Sequence, residues 1–287
     1  MQLLSSRVLM SLGMIVFVGA LAAGATGAFF SDTETSTGNT FAAGALDLTI
    51  DNSSYGYDWN DPTVQNPTGV WGPNAAHSWA LGNLDNCGPE DNQPCLFFNF
   101  HDLKPGDFGE DTISLHVQNA AYACMAFDLT ATPENNVNEP ETDAGDTAAN
   151  GATDGELQNY LSFLFWYDDG DNVFEVGETI IPALSGLPGS AFTGNWLTIA
   201  DSGAGTPLVP GVTNYIGKGW CFGTMTQAPV AQDGVGTNPP VAPARVGFTC
   251  SGAGNHNVAQ TDGITVDVHF YAEQSRNNGE FVCNREE

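Results

Sequence analysis

The sequence predicts an all-β protein built as an antiparallel β-sandwich with long loops. Short runs of alternating apolar and polar residues, about nine or ten in number, are separated by Gly- and Pro-rich turns. No stretch beyond the N-terminus has convincing helical periodicity. The chain has 287 residues, of which 41% are hydrophobic, enough to build a core. We therefore expect one β-sandwich domain over residues 45–287.

The chain is strongly acidic. Six Lys and Arg residues face 34 Asp and Glu residues, which gives a formal net charge of -28. Such a surface repels nucleic acid and anionic membranes, so we expect neither as a partner. It attracts divalent cations instead.

Residues 1–28 have the features of a signal peptide. Arg7 precedes the apolar run "VLMSLGMIVFVGALAAG", and small residues end at Ala28. The alternative is a permanent membrane anchor, because the apolar stretch approaches the ~20 residues that a bilayer requires. The polar, acidic stretch that follows favours cleavage between Ala28 and Phe29. We predict a secreted chain with no stable membrane insertion after cleavage.

The first half of the domain contains several strand-like runs. "ALDLTI" alternates and predicts a strand that starts near Ala45, and "CLFFNFHDL" predicts another. The runs Thr112–Val117 and Ala121–Leu129 also alternate, with Cys124 on the polar side of the second run. Because only a short polar link joins these two runs, they are predicted to pair as an antiparallel hairpin.

Residues 133–159 have a different composition. They carry seven acids and no basic residue, which predicts a solvated acidic loop that is mobile unless an ion binds it. "YLSFLFWYDDGDNVFEVGETII" then predicts a strand, an acidic turn and a short second strand. A helix over residues 156–165 is the alternative, but the density of aromatic residues favours β-structure. Near the C-terminus, "GITVDVHFYAEQSR" predicts a further strand with one apolar face.

Six cysteines in an exported chain favour disulfides over metal or redox chemistry. Cys87 and Cys95 bracket a turn-rich octet and predict a local disulfide. The other four allow three connectivities, among which spacing does not select. The pairing that we expect joins Cys124 to Cys221 and Cys250 to Cys283.

The acidic turn after the aromatic run is the main candidate for ion binding. Its acids are Asp168, Asp169, Asp171, Glu175 and Glu178. Ca²⁺ takes 6–8 oxygen ligands, and closely spaced carboxylates on a turn supply them. The spacing does not match an EF-hand loop, and a solvated hairpin turn is the alternative. Calcium is the only cofactor that the sequence suggests.

No motif predicts catalysis. The sequence lacks HExxH and GxSxG, and His116 and His269 are predicted on polar strand faces, where a structural role is far more common than metal binding. We expect no catalytic residue.

A weakly patterned aromatic region either covers a core edge or binds polysaccharide; its members are Tyr55, Tyr57, Trp59, Trp71 and Trp79.

Several stretches resemble one known group. "FFSDTETSTGNTFAAGALDLTIDN" is similar to the start of the mature region of TasA/camelysin-type secreted proteins. "LKPGDFGEDTISLHVQN", "DDGDNVFEVGE", "GWCFGTMT" and "ITVDVHFYAEQSRNNGEFVC" resemble later landmarks of the same group, in the same order. The resemblance implies a jelly-roll sandwich and export through a SipW-type signal peptidase.

The resemblance also implies a function. It suggests a structural protein that forms or decorates extracellular fibres of a biofilm matrix or cell surface. Residues 29–44 would then be a donor strand that completes the sheet of the next subunit, so the partners would be further copies or related fibre subunits. A camelysin-like secreted metallopeptidase is one alternative, and a carbohydrate-binding adhesion module is another.

Overall fold

The computed structural model describes residues 31–36, 40–42, 48–56, 71–73, 79–82, 96–97, 103–147, 151, 153–254 and 256–284. The predicted signal peptide, its cleavage site at Ala28 and Phe29, and the predicted disulfide between Cys87 and Cys95 lie outside these residues. Most of the predicted strand "CLFFNFHDL" lies outside them as well.

Fourteen strands are described, and short helices connect some of them. The strands are β1 (Ser31–Ser36), β2 (Thr40–Ala42), β3 (Leu48–Gly56), β4 (Gly72–Pro73), β5 (Trp79–Gly82), β6 (Phe108–Val117), β7 (Ala121–Ala131), β8 (Leu161–Asp168), β9 (Thr179–Ile180), β10 (Leu197–Ala200), β11 (Asn214–Phe222), β12 (Thr224–Gln227), β13 (Phe248–Ser251) and β14 (Thr265–Gln274). The helices are α1 (Glu139–Ala144), α2 (Pro188–Ala191) and the 3₁₀ turns Leu157–Asn159, Pro243–Arg245 and His256–Ala259.

Two antiparallel sheets form the sandwich. The first has the order β10-β7-β14-β1-β2, and the second has the order β4-β3-β6-β11-β8-β9, with β5 also paired to β3. Apolar side chains of both sheets meet in one core, where the rings of Phe127 on β7 and Phe165 on β8 lie 5.0 Å apart. The predicted all-β sandwich is confirmed, whereas the jelly-roll connectivity stays a prediction.

The strand prediction was right for β6 and β7 but wrong about their pairing. β6 pairs with β3 and β11 in the second sheet, while β7 pairs with β14 and β10 in the first. The short link between them therefore carries the chain from one sheet to the other. Alternation specifies which face of a strand is buried, but it does not encode the neighbouring strand.

The second sheet is also covered on its outer face. A smaller apolar cluster lies there, formed mainly by Trp166, Phe174, Phe248, Trp71, Leu164 and Val246. Two glycines of β11 make this packing possible: a Cβ on Gly217 would lie 2.1 Å from the Trp166 ring, and one on Gly219 would lie 2.4 Å from the Phe248 ring. Trp71 is buried in this cluster and Tyr55 packs against it, so these two predicted aromatics cover a core edge.

The disulfides differ from the expected pairing. Cys124 is bonded to Cys283, and Cys221 is bonded to Cys250. Cys124 lies with Tyr271 in an apolar cluster outside the main core, on the first sheet, whereas Cys221 lies on a strand of the second sheet. Bonded cysteines need Cα atoms within about 7 Å, which two opposed sheets do not allow here. The Cys124 bond closes a loop of 159 residues and fastens the C-terminal segment.

The predicted acidic loop contains a helix that the sequence interpretation missed. In α1, Asn138 Oδ1 accepts a hydrogen bond from the Glu141 backbone N–H, and Glu141 Oε2 accepts one from the Asn138 N–H. This reciprocal pair is a capping box, and Gly145 ends the helix with φ at 100°. Capping contacts between neighbouring residues stabilise this helix. The sequence interpretation missed it because six residues are too few to show a helical periodicity.

Candidate functional site

The predicted acidic turn connects β8 to β9, and Asp168 organises it. Asp168 Oδ2 accepts hydrogen bonds from the Gly170 N–H at 3.1 Å, the Asn172 N–H at 3.3 Å and Thr112 Oγ1 at 3.1 Å. Asp168 Oδ1 accepts another from Trp166 Nε1 at 3.2 Å. The chain can bend here because Gly170 tolerates its φ of 111°.

Glu178 closes the other end of the turn. Its Oε1 accepts a hydrogen bond from the Asp169 N–H at 3.0 Å, and its Oε2 accepts one from the Glu175 N–H at 2.7 Å. Two of the five predicted ligands, Asp168 and Glu178, therefore already accept hydrogen bonds from backbone N–H groups of the turn.

Asp171 and Glu175 are better suited to an ion, whereas both oxygens of Asp169 accept hydrogen bonds, from the Gly236 N–H and Gln232 Nε2. Asp171 and Glu175 are 3% and 1% exposed, and Asp171 Oδ2 and both Glu175 carboxylate oxygens have no hydrogen-bond donor among the described residues. Ligand oxygens of Asp168, Asp169 and Asp171 lie within 4.8 Å of one another, and so do those of Asp171, Glu175 and Asp233. Asp171 belongs to both groups.

Asp233 comes from a loop that the sequence interpretation did not connect to the turn. The Val176 N–H donates to the Val230 carbonyl at 2.8 Å, and the Gly236 N–H donates to Asp169 Oδ1 at 2.9 Å. Arg245 Nη2 holds Asp233 Oδ2 at 2.8 Å. No signal in the sequence links residues about sixty positions apart, so only the fold could reveal this ligand.

Burial and mutual repulsion change the acidity of these groups. Burial, and then the charges of Asp168, Glu175 and Asp169, raise the pKa of Asp171 to about 7. Burial raises the pKa of Glu178 to about 8 although backbone N–H groups oppose the shift. Beneath the turn, burial raises the pKa of the fully enclosed Glu110 well above its usual range, and Asp111, Asp168 and Asp171 add to this. A divalent cation would favour the ionised forms that the protein disfavours.

The histidines that the structure describes do not form a comparable site. His116 Nε2 lies 3.1 Å from Asp51 Oδ2, and its Nδ1 lies 3.3 Å from Thr213 Oγ1. His269 faces the Trp196 ring at a centroid distance of 6.2 Å. Within the described part of the chain, each cluster of three or more candidate ligands consists of Asp and Glu alone.

The N-terminal segment forms the second functional feature. β1 runs antiparallel to β14 over six register pairs, from Ser31 opposite Glu273 to Ser36 opposite Val268. β2 pairs with β1 on its outer side. The predicted donor segment therefore adds to the edge of its own sheet, next to a strand that would itself be an edge in its absence.

These features define a β-sandwich protein with an N-terminal strand added to one sheet edge and an acid-rich candidate metal centre on the other sheet. Residues 4–55 match the family model described as Camelysin metallo-endopeptidase. This match confirms the predicted resemblance to TasA/camelysin-type proteins over the first fifth of the chain, up to β3. No curated protein and no solved structure matches the chain. Among the described residues, no helix has the length and apolarity needed to cross a membrane.

Proposed function

We propose that this chain is a secreted structural protein that forms or decorates extracellular fibres by exchanging its N-terminal strand. The pairing of β1 with β14 carries the proposal. Backbone groups of β14 accept a strand from the same chain, and an identical segment of a second copy presents the same backbone groups. Exchange would replace one set of ladder hydrogen bonds by an equal set between subunits.

The linker length and the symmetry of the contact support a filament. Residues 37–47 lie between β1 and β3, and at ~3.3–3.6 Å per residue they extend over roughly 35–40 Å, provided that β2 unpairs. That reach permits β1 to leave its own sheet for a neighbour's. Such a contact joins two different surfaces, so repeating it produces an open chain of subunits.

A cysteine lock tests the exchange. Thr35 lies opposite His269 in the β1–β14 register, so a Thr35→Cys/His269→Cys variant can bond β1 to its own sheet. We expect the oxidised, intrachain-locked protein to stay monomeric by electron microscopy and to form filaments after mild reduction. The control is Thr33→Cys/His269→Cys, because Thr33 lies opposite Tyr271 and is out of register. Filaments that form equally well from the locked protein would contradict strand exchange.

We also propose that the acidic turn binds Ca²⁺. The supporting observation is Glu175, whose buried carboxylate accepts no hydrogen bond from the described residues. Asp171, Asp169 and Asp233 complete the oxygen set. In isothermal titration, Glu175→Gln should weaken binding at this site, whereas Glu280→Gln, an exposed position, should not. Tb³⁺ luminescence excited through Trp166, which contacts Asp168, reports this site separately. Unchanged Tb³⁺ luminescence in Glu175→Gln would count against it.

A secreted metallopeptidase is the second candidate function, favoured by the printed description of the matching family. Zinc peptidases use histidine and carboxylate ligands around an open coordination position. The described clusters supply carboxylates alone, a set that suits calcium better. Casein degradation that a chelator abolishes would favour the peptidase, and a lack of degradation by filament-forming protein would favour the structural function. A carbohydrate-binding module remains the third candidate, tested by glycan binding.

A further inference from the structure

A second group of carboxylates lies far from the acidic turn in sequence. Ligand oxygens of Glu134, Glu156 and Asp262 lie within 4.8 Å of one another, and those of Glu134, Glu141 and Asp146 do the same. Glu134 belongs to both groups, so its side chain lies among four other acids from three other chain segments. We call these five residues the Glu134 cluster.

Backbone contacts hold the segments of the Glu134 cluster together. The Glu134 N–H donates to the Gly151 carbonyl at 2.8 Å, and the Gly263 N–H donates to the Pro133 carbonyl at 2.9 Å. Gly155 fits because a Cβ there would lie 2.7 Å from the Pro133 carbonyl oxygen and 3.0 Å from Asp262 Cγ. The site is therefore a built part of the fold and not a chance meeting of surface acids.

Hydrogen bonds to its carboxylate hold the Glu141 side chain in place. The Thr261 N–H donates to Glu141 Oε1 at 2.7 Å, and Thr261 Oγ1 lies 2.9 Å from both carboxylate oxygens. The capping box of α1 adds the Asn138 N–H at 2.7 Å. Thus α1 is oriented so that a buried carboxylate of its first turn faces Glu134.

Buried oxygens that accept no hydrogen bond from the described residues favour cation binding at this cluster. Glu134 is 3% exposed, and its Oε2 has no hydrogen-bond donor among the described residues. Glu156 Oε2 and Asp262 Oδ1 are likewise buried and lack donors there. An unpaired buried carboxylate oxygen is costly, and such groups are usually paired or coordinate metals.

The lysine and arginine ion pairs that the structure describes do not involve Glu134, Glu156 or Asp262. Lys218 pairs with Asp111 and Arg245 pairs with Asp233, and neither acid belongs to the cluster. The sequence has no Lys or Arg between Lys104 and Lys218. Burial, and then a hydrogen bond to Asp262, raise the pKa of Glu134 to about 7, and burial with the charge of Asp262 raises the pKa of Glu156 to about 7. The cluster therefore retains protons or takes up a cation.

We propose that the Glu134 cluster is a second calcium site, which fastens the acidic loop to the β7–β14 strand pair. Within each group of three, oxygens less than 4.8 Å apart can surround an ion with bonds of ~2.3–2.6 Å, and the all-oxygen, carboxylate-rich set favours Ca²⁺ over zinc. Glu134 lies three residues after the end of β7 and Asp262 three residues before the start of β14, just beyond the register pair Ala131–Thr265. The bound ion would therefore join the loop to the end of the sheet that also carries β1.

The test separates this site from the acidic turn. In an Asp171→Asn/Glu175→Gln background, isothermal titration with CaCl₂ should still show binding. Adding Glu134→Gln should weaken that binding at least about tenfold, because it removes the ligand common to both groups. Glu139→Gln, an exposed acid in the same helix, should leave it unchanged. Limited proteolysis should show Ca²⁺ protecting residues 133–159 in the background protein but not after Glu134→Gln.

Loss of folding must be distinguished from loss of binding. Glu134→Gln nearly preserves the shape of the side chain and removes a repelling charge, so its melting temperature in EGTA should equal or exceed that of its parent. Asp262→Asn provides a second variant with the same expectation. No Ca²⁺ heat in the turn-deficient background, heat that Glu134→Gln leaves unchanged, or equal binding of Mg²⁺ would each overturn the proposal. Filament formation is measured independently, so failure here leaves the strand-exchange experiment intact.

Discussion

The main core and the loop periphery bury carboxylates in different ways. In the core, Asp111 and Lys218 are both fully enclosed, with Lys218 Nζ 2.6 Å from Asp111 Oδ1 and 2.9 Å from the Phe97 carbonyl. At the periphery, Glu134 and Glu175 also expose little surface to solvent, but each of them lies in a group of carboxylates. A chain with six basic residues neutralises few buried acids by ion pairs. The difference suggests that cations from solution replace the missing lysines and arginines.

The largest expected effect comes from removing the cation in the core. Lys218→Met leaves Asp111 buried without a partner, and breaking such a pair costs about 3–5 kcal/mol of unfolding free energy. Burial already raises the pKa of Asp111 to about 6 against the lowering effect of Lys218. Urea denaturation at neutral pH measures the loss.

The double variant Lys218→Met/Asp111→Leu provides the control for the core pair. Replacing both charges by apolar side chains should recover most of the stability, because the cost lies in the unpaired charge and not in the lost attraction. A double variant as unstable as Lys218→Met would show that packing, not charge, explains the first result.

A smaller effect is expected from removing calcium at the periphery. Saturating a native-state site at a hundredfold excess over its dissociation constant adds about 2.7 kcal/mol to the free energy of unfolding. EGTA should therefore lower the urea midpoint, and CaCl₂ should restore it, while Mg²⁺ at equal concentration should not. Lys218→Met should still show a calcium response, because neither Lys218 nor Asp111 is a candidate ligand in either carboxylate cluster.

The smallest effect is expected from replacing Asp201. This buried acid belongs neither to a described ion pair nor to a proposed calcium site. Its Oδ1 accepts the Gly203 and Ala204 N–H groups at 2.8 and 2.7 Å, and its Oδ2 accepts the Cys283 N–H at 3.2 Å. Burial opposes ionisation, but these donors outweigh it and lower the pKa from 3.8. Asp201→Asn should cost about 1–3 kcal/mol at neutral pH, measured by urea denaturation.

The pH dependence of the Asp201 effect follows from the direction of its shift. A carboxyl whose folded pKa is lowered stabilises the protein above the unfolded value and loses that contribution as the pH falls through the folded value. The difference between Asp201→Asn and the unchanged protein should therefore shrink as the pH falls below 3.8 and through the lower pKa of the folded state. A difference that stays constant would assign the effect to the hydrogen-bond geometry alone.

Local sequence patterns predicted the individual strands of this protein better than they predicted which strands and which cysteines pair. Alternation predicted β6, β7 and β14, and aromatic density correctly favoured a strand over a helix at β8. The short α1 was missed because its signal is a capping box and not a periodicity. The hairpin of β6 with β7 and both expected disulfides among the four later cysteines were wrong, because each depends on which sheet a strand joins.

The candidate sites also differ in how far the sequence alone specifies them. The sequence alone determined the acid-rich turn, since its five acids lie within one connection between two strands, and it determined the excess of acid over base that any fold must accommodate. Only the tertiary structure decided that Asp233 joins the turn, that Glu134 is enclosed by acids from distant segments, and that β1 lies along β14. Proximity along the chain is encoded locally, whereas burial of a charge depends on every segment that packs around it.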